Sequence, residues 1–158
     1  MLRVRTVLHP MDFAGNPSTA FDVACALARD YGAELVLAHV VEPAFVNTAD
    51  GMPQPIPSGL EDGARDRLRA VQIIGPPAAV RHVVAVGFPV EEILRVAAEV
   101  KADLIVMGTH GRGGWSRLVM GSVAEGVLRQ APCPVVTVRN LPPASSPDAV
   151  VQPDKGAS

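Results

Sequence analysis

Gly108, Gly111, Gly121 and Ser122 have the residue types and the spacing to hold phosphate. They follow the apolar run 104–107 and precede the helix-like run 123–128, so glycines stand where a strand ends and again where a helix begins. Phosphate oxygens are bound well by backbone N–H groups that approach without a Cβ in the way, and by the unpaired amides of a helix N-terminus. Gly108 and Gly111 let the chain turn tightly under a ligand, while Gly121 and Ser122 would present amides and a hydroxyl at the first turn of a helix. Arg112 and Arg117 lie in the loop between, where a guanidinium either adds charge-assisted hydrogen bonds to phosphate or stays solvated. Ser122 has a second role open to it, because Ser122-Val123-Ala124-Glu125 is a capping-box sequence in which Glu125 reaches back to the helix start.

Two other nucleotide signatures are missing from the sequence. The P-loop pattern G-x-x-x-x-G-K-[ST] does not occur, and the dinucleotide pattern G-x-G-x-x-G fails because Gly111-Arg112-Gly113 meets Ser116 at the third glycine position. A P-loop motor and a dinucleotide-dependent enzyme are therefore disfavoured. No base, nucleophile or lysine stands beside the glycines in a catalytic pattern, so no catalytic residue is assigned. His9, His39, His82 and His110 lack metal-ligand spacing, and of these His110 alone falls in the candidate site. Cys25 and Cys133 read as core thiols, Trp115 in the loop has no unique reading, and Arg65, Arg67 and Arg69 read as a solvated helix face.

The elements that must position the glycines are legible as alternating periodicities. Apolar runs recur at 4–8, 35–41, 83–86, 104–107 and Val135–Val138, with helical spacing between them. A first helix carries Phe21, Ala24, Cys25, Ala28 and Tyr31 on one stripe, with Asn16 or Ser18 as N-cap and Gly32 as stop. A second is expected from near Ser58 through Val71. A third, opened by Pro89, carries Val90, Ile93, Leu94, Ala97 and Val100; a fourth carries Ala124, Val127, Leu128 and Ala131 and is ended by Pro132. Strands joined by crossover helices run parallel in one sheet, which predicts an α/β, doubly wound, five-stranded fold. Residues 43–63 hold Pro43, Pro53, Pro55 and Pro57 and are expected to form an irregular, mobile loop. A single domain over residues 1–140 is followed by a Pro/Ser-rich tail, 141–158, expected to be disordered.

The composition bounds the function. A hydrophobic fraction of 48% in 158 residues is enough for one sizeable core, and only 4% aromatic content makes that core Val, Ala, Leu and Ile, as in a buried parallel sheet. A net charge of −2 and a pI near 6.0 give no electrostatic footprint for nucleic acid or an anionic membrane surface. Cysteines without a disulfide or metal pattern, the lack of a signal-like apolar stretch near Met1 and the lack of any long apolar run lead us to expect a cytoplasmic protein.

Gly108-x2-Gly111-x9-Gly121-Ser122 resembles the G-x2-G-x9-G-[ST] nucleotide-binding motif of the universal stress protein family. The opening Val7-Leu8-His9-Pro10-Met11-Asp12-Phe13 is similar to that family's first strand and turn, and the stretch 129–138 is similar to its carboxyl end. The resemblance covers residues 3 to 139. It implies a flavodoxin-like (Rossmann-like) sheet of order 3-2-1-4-5, a homodimer, and bound ATP with a divalent cation such as Mg²⁺. Carried over by position, Pro10, Met11 and Asp12 after the first strand would lie on the ribose or adenine side, with Val41 bordering the base. Met107, Gly108, Gly111, Arg112, Gly121, Ser122 and Val123 would hold ribose and phosphates. In that strand order the carboxyl ends of strands one and four flank the switch point where ligands bind, which places Asp12 and Gly108 together. Asp12 also has a simpler reading as a turn carboxylate. Gly126 departs from the family pattern, where a larger residue is common, and costs that helix about 1 kcal/mol relative to Ala.

Three functions stay open at this point. The first is an ATP-binding stress-response regulator that needs no chemistry. The second is a slow ATPase or phosphotransfer protein using Asp12 or His110 to position the attacking group. The third is an interaction module with an empty glycine loop. The expected partners are an adenine nucleotide and a second copy of the chain paired through the edge strand Val135–Val138, whose apolar side chains and open backbone groups solvent tolerates poorly; no protein partner is identified.

Overall fold

The computed structural model describes residues 3–13, 19–43, 45–47, 52–55, 59–73, 75, 77–109 and 120–139. Elements follow in the order β1 (Thr6–Pro10), α1 (Thr19–Tyr31), β2 (Glu34–Val41), β3 (Phe45–Asn47), β4 (Pro53–Pro55), α2 (Leu60–Arg69), β5 (Ala79–Val86), α3 (Pro89–Glu99), β6 (Leu104–Gly108), α4 (Ser122–Gln130) and β7 (Val135–Val138). The main sheet has the spatial order β5-β2-β1-β6-β7, and every pairing in it is parallel. Numbering only those strands along the chain gives 3-2-1-4-5, the doubly wound arrangement expected.

Alternation of side chains along the central strands builds two cores. Val7 of β1, Leu35 and Leu37 of β2, and Leu104 and Val106 of β6 pack on one face with Phe21, Ala24 and Cys25 of α1 and Leu68 of α2. Leu8, Val36, Ala38, Ile105 and Met107 pack on the other face with Ile93, Val96 and Ala97 of α3 and Ala124 and Val127 of α4. Helices thus cover both faces, and β1 is buried in the middle. The expected apolar stripes hold except at Tyr31 and Leu128, which are 48% and 47% exposed.

Several expectations change. Residues 43–63 are not wholly irregular: β3 and β4 form a two-stranded antiparallel sheet with Phe45 opposite Pro55 and Asn47 opposite Pro53. Proline is tolerated in such edge strands wherever its nitrogen need not donate, and this is why proline content alone misreads them. The second helix starts at Leu60, two residues after Ser58, and ends at Arg69. β5 begins at Ala79, not at residue 83. Its early part carries Arg81 and His82 on an exposed edge, where the apolar signal of a strand is lost.

Helix ends follow local chemistry. α1 and α3 end alike: Gly32 and Ala33 donate to Arg29 and Ala28, and Lys101 and Ala102 donate to Ala98 and Ala97. Both turns need a left-handed residue, supplied by Gly32 at φ +63° and, less comfortably, by Lys101 at φ +52°. Gly126 has a packing reason, because a Cβ there would stand 2.8 Å from Cγ2 of Val90. The glycine lets α4 lie close against α3, and the stiffness of a β-branched valine leaves a Cβ little room. The N-cap expectations at Asn16 and Ser18, and the tail 141–158, fall outside the described residues.

Candidate functional site

β1 and β6 lie side by side, but the chain leaves them on opposite faces of the sheet, α1 returning on one and α4 on the other. Their carboxyl ends therefore bound the switch-point crevice of an open α/β sheet. Pro10 closes β1 and Gly108 closes β6, so Asp12 and the start of the glycine motif enter the same end of the molecule.

The two ends of the motif meet through one bond. The amide of Gly121 donates to the carbonyl of Thr109 at 2.7 Å, while the amide of Thr109 donates to Val138 at 3.0 Å. Residue 109 follows β6 directly and Gly121 precedes α4, so this bond sets the first turn of α4 beside the end of the central strands. Gly121 is the N-cap, with φ −62° and ψ 148°, and its carbonyl accepts the Glu125 amide at 3.0 Å. Ser122 is the first helical residue and exposed, and α4 has no side-chain cap. The capping box suggested by the sequence does not form: Ser122 sits one position too late, and the Glu125 carboxylate pairs with Arg129 at 2.8 Å. A glycine N-cap leaves the amides of Ser122, Val123 and Ala124 without intrahelical acceptors. The Gly121 amide, by contrast, is already engaged.

Across the crevice, the Met11 amide donates to Ala38 at 2.7 Å, and the Met11 carbonyl accepts from Nδ1 of His39 at 2.6 Å. Both backbone groups of Met11 are occupied, and its half-buried side chain packs on the α1 side. Asp12 is exposed. Val41 ends β2 with 7% exposure, and its carbonyl accepts from Gly87 at 3.1 Å. Met107 is 5% exposed in the core on the α3 side, so any contact it makes with a ligand is through backbone. Gly111 and Arg112, with His110, Trp115 and Arg117, fall outside the described residues. The structure therefore brings together Pro10, Met11, Asp12, Gly108, Gly121, Ser122 and Val123, with Val41 one strand further out.

Three titratable groups lie in the packing, and one of them, His9, ties two strands together. His9 is 2% exposed, and its Nδ1 donates to the Val106 carbonyl at 2.8 Å, tying β1 to β6. Burial holds its pKa below the ordinary histidine value, against the opposing pull of that bond and of the nearby Asp12 carboxylate. Cys25 lies in the core, where burial pushes its thiol up to about 11; the half-buried Cys133 is also shifted upward, chiefly by burial. Both behave as core thiols. Among the described residues there is no group of three or more His, Cys, Asp or Glu placed to hold a metal ion.

Sequence reasoning missed Thr109, Phe13, His39 and Arg67. Thr109 acts through its backbone, which residue type does not announce. Phe13 lies 4.5 Å from His39, ring to ring, and the guanidinium of Arg67 sits 4.2 Å over the Phe13 ring. Arg67 is thus more than part of a solvated face.

Residues 3–139 match the model of the Universal stress protein family. The chain belongs to the universal stress protein family. A universal stress protein in the QAH/OAS sulfhydrylase 3' region of Thermus aquaticus is 36% identical over 140 residues, covering 85% of this chain and 98% of the relative. Among solved structures, universal stress protein UspA from Lactobacillus plantarum superposes with a TM-score of 0.68 at 24% identity, covering 87% of this chain and 99% of its own. A universal stress protein in complex with cAMP superposes with a TM-score of 0.59 at 26% identity, covering 88% and 99%. The chain therefore has the flavodoxin-like fold of this family as a single domain. Among its described residues, no helix is long and apolar enough to cross a membrane.

Proposed function

We propose that this universal stress protein is an adenine-nucleotide-binding regulator that holds ATP at the carboxyl end of β1 and β6. The observation that carries the reading is the Gly121–Thr109 bond, which sets an α-helix start with no side-chain cap beside the strand end bearing Gly108. Amides of Ser122 and Val123 suit phosphate oxygens, and the partial positive charge of the helix start adds to them. Asp12, exposed across the crevice, suits ribose hydroxyls as a charged acceptor. Val41 borders the base. Gly111 and Arg112 complete the cradle in this reading. The cAMP complex of a relative supports an adenine nucleotide as the ligand class. Magnesium would be carried by the nucleotide's phosphates, where it would neutralise their charge. In this reading bound nucleotide alters loop order or assembly, and hydrolysis is not required.

The same reading includes a homodimer through β7. Val135–Val138 lies at an edge of the sheet, paired with β6 on one side, and its residues are half-buried in the single chain. Pairing with its twin would cover apolar side chains and satisfy the open backbone groups. Light scattering at micromolar concentration should give twice the chain mass.

The test of the ligand is direct. Freshly purified protein is denatured and any released nucleotide identified by chromatography, and stripped protein is titrated calorimetrically with ATP and Mg²⁺. Copurifying or titrating ATP is expected; absence of binding by any adenine nucleotide would leave the glycine motif as structure and favour an interaction module.

A further inference from the structure

The turn that carries Asp12 off β1 is held from two other elements. Met11 is fixed on both backbone groups by β2, through Ala38 and His39. On the other side of Asp12, Phe13 adopts φ +55°, a left-handed conformation that a bulky L residue holds only where its surroundings enforce it. The enforcing groups are the His39 ring, tilted 47° to the Phe13 ring at 4.5 Å, and Arg67 of α2. Arg67 stacks its guanidinium on the Phe13 ring and also reaches the Phe13 carbonyl, with Nη2 donating at 3.4 Å. A glycine at position 13 would take this φ without strain. Packing of the half-buried ring on the α1-side core accounts for an apolar residue there but not for its left-handed backbone, and a strained residue next to a ligand-facing carboxylate is the pattern of a preorganised site.

We propose that Phe13, His39 and Arg67 are positioning residues that lock the carboxylate of Asp12 toward the ribose of a bound nucleotide; the proposal rests on the nucleotide site described above. His39 fixes the turn from the strand side. Arg67 fixes it from α2, so the second helix acts on the site without touching the ligand. A purely structural stack would change stability and leave nucleotide preference alone, whereas a positioning stack changes affinity only while Asp12 is present.

The experiment is a set of double-mutant cycles read by calorimetry with ATP and Mg²⁺, each variant also unfolded in urea. Arg67→Ala should weaken ATP about 3-fold, with Arg67→Lys restoring part of the loss because an ammonium also stacks on an aromatic face. Phe13→Gly should weaken ATP about 10-fold, while the urea midpoint falls because the ring also packs on the α1-side core, so affinity is read where the variant is fully folded. In the Asp12→Ala background both effects should vanish. If Phe13→Gly binds ATP as the wild type does, or if the losses persist in full without Asp12, the positioning role is overturned while the nucleotide site stands. Wild-type protein that binds no adenine nucleotide would overturn the site and this proposal together.

Discussion

The two ends of the parallel sheet are finished differently. At the amino end, charged side chains close the structure: the Asp103 carboxylate accepts the Arg5 and Thr6 amides at 2.8 and 3.1 Å, and Glu34 takes a two-pronged contact from Arg81 at 2.9 and 3.0 Å. At the carboxyl end, the joining bonds are backbone pairs, among them Met11 to Ala38, Gly87 to Val41 and Gly121 to Thr109, together with imidazole and guanidinium bonds to the Met11 and Phe13 carbonyls. Asp12 there stays exposed and α4 begins without a side-chain cap. In the function proposed above, a carboxylate fastens the chain at one end and meets the ligand at the other. Residues placed for ligands trade away stability that comparable residues supply elsewhere.

That contrast can be broken by mutation. Asp103→Ala should cost about 2 kcal/mol of folding free energy, since two chain amides lose a charged acceptor, and ATP affinity should not change. Urea unfolding and calorimetry on the same sample check both halves. Asp12→Ala should shift the balance the other way, weakening ATP about 10-fold, equivalent to about 1.4 kcal/mol, and lowering the urea midpoint by less than Asp103→Ala does. A large loss of stability at Asp12 would mean that both ends are fasteners.

His9 lies between the two ends and sharpens the comparison through pH. Its folded pKa is depressed below the ordinary value of 6.5, so the unfolded chain takes up a proton that the folded chain refuses as pH falls below about 6.5. This group's contribution is fully present above that pH and is lost on acidification, by at most about 1.4 kcal/mol per pH unit. Urea midpoints between pH 7.5 and 5.5 should therefore fall further for wild type than for His9→Gln. The smallest effect belongs to Lys101, which sits at the amino end in the conformation that Gly32 supplies in α1. Lys101→Gly should raise stability by about 0.5 kcal/mol in thermal unfolding, with no change in nucleotide binding.

Much of this was legible in the sequence because the signals were local. Alternating apolar runs and helix stops such as Gly32 and Pro132 specified the elements, and the glycine spacing marked the strand end and helix start that the Gly121–Thr109 bond joins. The misreadings have physical causes. Ser122 matched a capping box, but the helix starts one residue earlier relative to it, a shift that residue types do not encode. Arg81 and His82 masked the start of β5 because an edge strand tolerates polar side chains. Prolines hid β3 and β4. The Phe13–His39–Arg67 stack was invisible because its members come from three separate segments that only the folded topology brings together.

The account's central claim is that nucleotide meets the carboxyl end of the sheet and leaves the amino end untouched. Amide chemical-shift mapping by NMR, with ATP and Mg²⁺ titrated into labelled protein, tests it most directly. The predicted result is saturable shifts at Asp12, Gly108, Thr109 and Ser122–Ala124, with Arg5, Thr6, Glu34 and Asp103 unmoved. Shifts centred on the latter group, or none at any nucleotide concentration, would contradict it.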